Sequence, residues 1–349
     1  MAIEYLPESV QTLYSELLDQ TIQTEAEAVA NRLPAPGSFV SKEVRGSTYW
    51  YLQRLEGQRK RQYFLGPDSP ELQRWMAQKK SLAETMQPDA ERRAELVSML
   101  RAGGAARLPA AVGRVLRLLT EIGVFRLGGV LVGTQAFVAY GNMLGVRFQG
   151  SNLRTQDLDI AQDRGIAVAL DPLAVPAALE EALREADSRF FAVPALDPRS
   201  PSTAFKVRGR DLRVDLLTPA RGVETRPVAL PYLKAAAQPL PHLGYLIDRP
   251  EQAVLCEASG LLVKVPQPAR FVWHKLWAST QRPATDAAKS AKDRRQALEL
   301  AEVLHADRPR DLEASWEALP GSLRSRIPTS LERLEEPTAQ HLLGIARGP

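Results

Sequence analysis

A mixed α/β core, set between an N-terminal helix and β-meander region and a helical C-terminal domain, is the fold this sequence predicts. Three observations predict it. Helix-like and strand-like apolar segments alternate over residues 105–265. Aromatic and β-branched residues punctuated by glycine crowd residues 38–67. Beyond residue 269 the pattern is almost wholly helical, broken only by prolines such as Pro283, Pro309 and Pro320. The expected regions are therefore 1–104, 105–265 and 266–349.

Composition agrees with a core-forming chain. The 349 residues suffice for two or three domains, and 44% hydrophobic with 25% charged residues is ordinary for a soluble protein. A formal charge of only +4 makes whole-molecule charge a weak argument for a polyanionic partner, so local clusters must carry that argument. Cys256 is the single cysteine, which excludes an intrachain disulfide and Cys-rich zinc sites. The first eighteen residues are acidic and amphipathic rather than basic then apolar, unlike a signal peptide. No run approaches the roughly 18 apolar residues of a membrane span. The expectation is a cytoplasmic protein with no membrane contact.

In chain order, Leu6, Val10, Leu13, Leu17 and Leu18 keep helical spacing, and Pro34, Pro36 and Gly37 end that helix. Residues 38–67 break at Arg45-Gly46 and Glu56-Gly57 and read as a three-stranded meander; residues 69–103 return to helix. Val112, Val115, Leu116, Leu119 and Ile122 form one apolar helical face stopped at Gly123. Residues 128–132 read as a buried strand, Gly133-Thr134 as a corner, and residues 136–145 as a helix. Further strands are expected around residues 154–162, 190–196, 202–209 and 211–219. The last two are joined by a Gly209-Arg210-Asp211 turn, and a helix is expected near residues 176–186.

The chemistry lies on two of these strands. Asp157 and Asp159 alternate with Leu158 and Ile160, so on a strand both carboxylates share one face with Cα atoms about 6.6 Å apart. Such a pair can converge on one or two divalent ions, and an all-oxygen donor set favours Mg2+ or Mn2+. A two-metal site needs a further acid, and Asp215, inside the apolar pattern LRVDLLT, is the candidate. The strand, Gly133-Thr134, helix sequence leaves backbone N–H groups free at a helix start, where phosphate oxygens bind.

Gly133-Thr134 followed by R-T-Q-D-L-D-I, Arg154 to Ile160, resembles the polymerase-β-type nucleotidyltransferase superfamily, in particular the branch containing AbiEii-type toxins. The stretch from Val265 through Leu298 is similar to uncharacterised bacterial nucleotidyltransferase-fold proteins. The resemblance covers residues 110–306 and implies that the α/β (α+β) core is a nucleotidyltransferase core. It implies NMP transfer from an NTP to an acceptor hydroxyl, with tRNA, a protein or a small molecule as acceptor. Asp157, Asp159 and Asp215 would hold the metals, with Asp215 completing the one that activates the hydroxyl or accepting its proton. Gly133 and Thr134 would cradle the β- and γ-phosphates, and Lys275 and Lys292 would neutralise triphosphate charge, with Arg154 adding to them or pairing an acid. Residues 133–157 exceed the spacing of compact members, so residues 142–152 read as an insertion at the active-site edge, a substrate loop. The corner is also Gly-Thr where the family has Gly-Gly or Gly-Ser.

Bland readings stand beside these. Lys275 sits among Phe271, Trp273, Leu276 and Trp277, where it can snorkel along a packed helix, and Lys292 lies in a run of charges typical of a solvated helix face. His242, His274, His305 and His341 read as structural, and Cys256 as a small buried hydrophobe. In the meander the aromatics are expected to pack on flanking helices, leaving Arg54, Arg59, Lys60 and Arg61 to meet an acceptor nucleic acid. Two rivals from other classes are a catalytically silent nucleic-acid-binding or toxin–antitoxin module, and a glycosyltransferase built on Asp-x-Asp.

Overall fold

The computed structural model describes residues 3–30, 37–44, 46–56, 59–148, 156–165, 179–195 and 197–348. The N-terminal region comprises β1 (Glu4–Tyr5), α1 (Glu8–Ala30), the meander β2 (Ser38–Val44), β3 (Ser47–Glu56) and β4 (Arg59–Pro67), and α2 (Pro70–Ala102). The core follows with α3 (Ala110–Glu121), β5 (Val130–Val132), α4 (Gly133–Met143), β6 (Val146–Arg147), β7 (Asp157–Ala161), α5 (Leu179–Ala186), β8 (Phe190–Ala192), β9 (Ala204–Val207) and β10 (Arg213–Pro219). It continues through β11 (Val228–Leu230), β12 (Ala235–Leu240), α6 (Leu243–Ile247), β13 (Glu251–Leu255) and β14 (Leu261–Val265). The remaining elements are helical: α7 (Pro268–Gln281), α8 (Ala287–Asp307), α9 (Pro309–Glu317), α10 (Gly321–Arg324), α11 (Ile327–Leu331) and α12 (Pro337–Arg347). The fold is thus α+β with a mixed sheet and a helical C-terminal region. No described helix is long and apolar enough to cross a membrane.

The central sheet runs β11-β12-β10-β7-β5, with β9 and β8 joining beside the first half of β10. Parallel pairing of β7 with β10 and antiparallel pairing of β5 with β7 put Asp159 level with Asp215 on one side and Val132 on the other. Alternation along β7 and β10 sends Leu158, Ile160, Val214 and Leu216 into a core where each is almost wholly buried. The acids are left on the opposite face. The sequence pattern does not single out β11 to β14. Ala235–Leu240 is small-residue chain interrupted by Pro239, and its strand character comes from pairing with β10 and β11.

The region preceding the core docks on it. Leu6 just ahead of α1, Val10, Tyr14 and Leu17 of α1, and Leu96, Val97 and Leu100 of α2 pack with Val254 and Cys256 of the β13–β14 side. Tyr14 Oη accepts a hydrogen bond from the Val254 amide at 3.2 Å. Arg101 donates to the Cys256 carbonyl and pairs with Glu257 at 2.8 Å. The described part of the expected insertion does not border the acids. Val146 and Arg147 pair with β1, Arg147 reaches Glu4 at 3.1 Å, and Phe148 stacks on Phe137 with centroids 4.3 Å apart. That segment anchors the N-terminus, which periodicity cannot reveal because its partner lies some 140 residues earlier.

In the meander, the expectation that the aromatics face the helices holds for only half of them. Phe39 meets Trp75 of α2 edge to face, Leu52 is buried, and Trp50 donates to Asp68 beside the start of α2. Tyr49, Tyr51 and Phe64 cluster on the other face, and Phe64 is 57% exposed. The side chains of Arg54, Arg59 and Arg61 lie outside the described residues, and Lys60 is exposed.

Candidate active site

The site is built where two parallel strands present acids in register. Neighbouring strands lie about 4.8 Å apart, so Asp159 and Asp215 stand side by side, with Asp157 one pleat away on β7. Asp157 is exposed, whereas Asp159 and Asp215 are partly covered. Loss of hydration and then repulsion from Asp215 push the Asp159 carboxyl up to about 6; Lys275 and Arg213 pull the other way and Asp157 adds to the rise.

Gly133 explains the corner. It opens α4 with a φ of +68°, and a Cβ there would stand 2.3 Å from Asp159 Oδ2, so the position demands glycine on both backbone and steric grounds. No side chain caps the start of α4, which leaves its first N–H groups directed out of the helix beside the acids. Thr134 follows, buried at 9% exposure. α4 starts three residues before the expected helix, with Gly133 at its first position in a left-handed conformation.

The C-terminal helices bring positive charge to the acids. Phe271 of α7 packs on Phe137 and Tyr140 of α4, and Tyr140 Oη donates to the Pro266 carbonyl at 2.8 Å. This packing sets Lys275 close enough to act on Asp159. Lys275 Nζ pairs with Asp293 Oδ1 at 2.6 Å and also lies over the Phe271 ring. Arg282 holds the other oxygen of Asp293 at 2.7 Å. Burial works to raise Asp293, but Lys275 and Arg282 prevail and keep it below its ordinary value. Burial lowers Lys292 and Lys275 lowers it further, while Asp293, Asp157 and Asp159 oppose the drop. Both lysines therefore lie within electrostatic reach of Asp159, and Lys275 ends on the buried Asp293 rather than in solvent.

Sequence reasoning missed two residues. Arg213, two residues before Asp215 on the same strand face, donates from Nη2 to Asp215 Oδ1 at 2.7 Å, with Nε 2.7 Å from Oδ2. Its i, i+2 spacing was available as a signal. Asp293 carried no signal, because its partners come from another helix. Arg154 lies outside the described residues. His274 is held neutral, its pKa driven down to about 3 by burial beside Lys275, and burial pushes the Cys256 thiol up to about 11; the structural reading suits both. A cleft of about 230 Å³ lined by Gln11, Asn142, Gly145 and Asp307 lies at the far end of α4 from Gly133 and has no part in this arrangement.

A family model described as nucleotidyltransferase matches residues 110–320. The chain belongs to this nucleotidyltransferase family. The matched span takes in the Gly133 corner, the three acids, Arg213 and both lysines, and leaves β1 to α2 outside the family. No curated protein and no solved structure matches the chain.

The donor set fits the divalent cation that such chemistry implies. It is all oxygen, the Asp159 carboxyl is disfavoured as an anion first by burial and then by Asp215, and the missing side chain at Gly133 keeps the space against Asp159 Oδ2 open. Among the described residues no three acids, histidines or cysteines converge tightly enough to hold an ion as they stand, and Arg213 supplies the positive charge at Asp215.

Proposed function

We propose that this nucleotidyltransferase-family protein transfers NMP from an NTP to an acceptor hydroxyl in a reaction dependent on Mg2+ or Mn2+. The observation that carries the reading is the register of Asp159 with Asp215 beside the Gly133 corner, faced by Lys275 and Lys292. Ions held by Asp157, Asp159 and Asp215 would polarise the triphosphate and lower the pKa of the acceptor hydroxyl. The N–H groups of Gly133 and Thr134 receive the β- and γ-phosphate oxygens. Lys275 and Lys292 offset the charge that builds on the pyrophosphate. Asp215, released from Arg213, takes the proton of the acceptor hydroxyl. The acceptor oxygen then bonds to the α-phosphorus as the bond to the β-phosphate's bridging oxygen breaks, and pyrophosphate leaves. A macromolecular acceptor, tRNA or protein, suits the large region outside the family span.

One observation favours a second reading, a catalytically silent nucleic-acid-binding or toxin–antitoxin module: Arg213 occupies both oxygens of Asp215. The two separate in one experiment. Melting is followed with each NTP, with Mg2+ or with chelator, and labelled NTP is then incubated with the protein and total cell extract. Active transfer requires an NTP-induced rise in Tm only with the metal, by ligand linkage, together with label on an acceptor. A rise that persists in chelator, or metal-dependent binding with no label transferred, would overturn the reading.

A further inference from the structure

The outer face of the meander is a surface that the family span does not account for. Register and ring contacts place Lys42 on β2, Tyr49, Tyr51 and Gln53 on β3, and Gln62 and Phe64 on β4 together on that face. Lys60 precedes Gln62 by one alternation and joins them. Lys42 Nζ lies 4.8 Å from the centre of the Tyr51 ring, and Gln62 donates to Gln53 at 2.9 Å.

Charge decides what fits. Among the described side chains this face carries two lysines and no carboxylate. Glu43 alternates to the other face, and Asp68 at the end of β4 is turned to Trp50 and Gln73. Exposed aromatic rings on a sheet are costly to leave in water, yet Phe64 stands 57% exposed with Tyr49 and Tyr51 beside it. Val40 and Val44 share the face and aromatic anchors also serve protein interfaces, so it is the lysines and paired amides set among the rings, with no described carboxylate, that favour a nucleic acid. Flat rings spaced 5.5 and 6.1 Å apart, interleaved with amides and lysines, suit bases that stack and phosphates that need cations. α5 packs beside both β3 and α3, so the face is tied to the core that carries the acids.

We propose that this open sheet face binds single-stranded nucleic acid, with Tyr51 and Phe64 as stacking platforms, Lys42 and Lys60 on the backbone phosphates, and RNA as the strand presented for transfer. Its role as acceptor rests on the nucleotidyl-transfer reading; the binding face itself does not. The Watson–Crick edges of unpaired bases would meet the Gln53 and Gln62 amides, whereas a duplex keeps its bases stacked and offers the rings nothing.

The test uses the full chain and a fluorescein-labelled single-stranded RNA of roughly 16 nucleotides, the upper end of site sizes for small β folds. The same strand annealed to its complement serves as control. Anisotropy should show tighter binding of the single strand, weakening with salt. Tyr51→Ala and Phe64→Ala should each weaken it roughly 5- to 100-fold, while Tyr51→Phe retains it. Lys42→Gln should flatten the log–log salt slope by about 0.7. Circular dichroism melts verify that each variant is folded, which Phe64→Ala should be because its ring is mostly in solvent. NTP-induced melting shifts with Mg2+ should be the same in all variants. No binding at low salt, equal binding of duplex, or full binding by a folded Phe64→Ala would each overturn the platform, and a protein acceptor predicts the first of these. RNA binding without any NTP-induced shift would leave the platform standing and remove the transfer reading; the reverse result would do the opposite.

Discussion

The acids on β7 and β10 and the lysines on α7 and α8 are two charged clusters held by opposite means. The acids are fixed by backbone pairing, with Asp159 level with Asp215, and among the described residues of the sheet Arg213 is the cation seen paired with them. The lysine cluster is held by side chains around one buried counter-ion, Asp293, which satisfies Lys275 and Arg282 at once. The acidic side thus sets three carboxylates against one guanidinium, while the basic side sets Lys275, Arg282 and the neighbouring Lys292 against the single carboxylate of Asp293. Under the proposed reading, a site that loads metal and nucleotide would gain from these opposite charges: strands would hold the ligands rigidly at a cost in stability, and helices would keep the counter-charge placed before a triphosphate arrives.

Three substitutions break or sharpen the comparison. The largest effect is expected from Asp215→Asn, which should lower the transfer rate by on the order of 10³–10⁴ with NTP affinity kept within about tenfold. Single-turnover transfer of labelled NMP reads both quantities, and wild-type turnover would show that another group is the third carboxylate.

Removing the counter-ion on the basic side comes next. Asp293→Ala strands Lys275 beside Phe271 and frees Arg282, and loss of one member of a buried charge network costs about 3–5 kcal/mol. Urea unfolding should show that loss, with weaker NTP binding because Lys275 is no longer aimed. A variant within about 1 kcal/mol of wild type would mean that Asp293 is not what holds the cluster.

The smallest effect has the opposite sign. The native carboxyl of Asp159 lies near 6, above the 3.8 expected unfolded, so the folded state binds this proton more tightly. Its contribution to stability is therefore present below pH 3.8, fades as pH rises through 6, and is a penalty at neutral pH. Asp159→Asn should stabilise the metal-free protein by about 3 kcal/mol at pH 7, and the gain over wild type should shrink as pH falls from 6 towards 4. The same variant should lose the metal-dependent NTP shift. Denaturant unfolding in chelator across that range checks it, and an Asn variant less stable than wild type at pH 7 would contradict the penalty.

Much of this site was legible in the chain because strand and helix periodicities are local. Alternation around Leu158 and Ile160 put both β7 acids on one face, and Gly133 marked a corner whose positive φ and contact with Asp159 the structure then supplied. Lys275 and Lys292 came from resemblance rather than pattern, since a lysine on a helix looks the same whether it meets solvent or a triphosphate. The meander strands were legible to within a residue or two, yet which aromatics faced out was not. A two-residue period distinguishes two faces without naming the one that a helix will cover.

Local pattern alone gave the main elements as far as β10, the three acids and their strand settings, and the family that residues 110–320 express. Long-range packing decided that β10 lies beside β7 in a register pairing Asp215 with Asp159, that Arg213 closes on Asp215, and that Asp293 binds Lys275 of α7 and Arg282 just past its end. The reason is range. Hydrophobic periodicity acts over one or two turns and fixes which face of an element is buried. The choice of neighbouring strand, and of the counter-ion for a half-buried charge, is made by the packing of segments dozens of residues apart, where no short pattern records it.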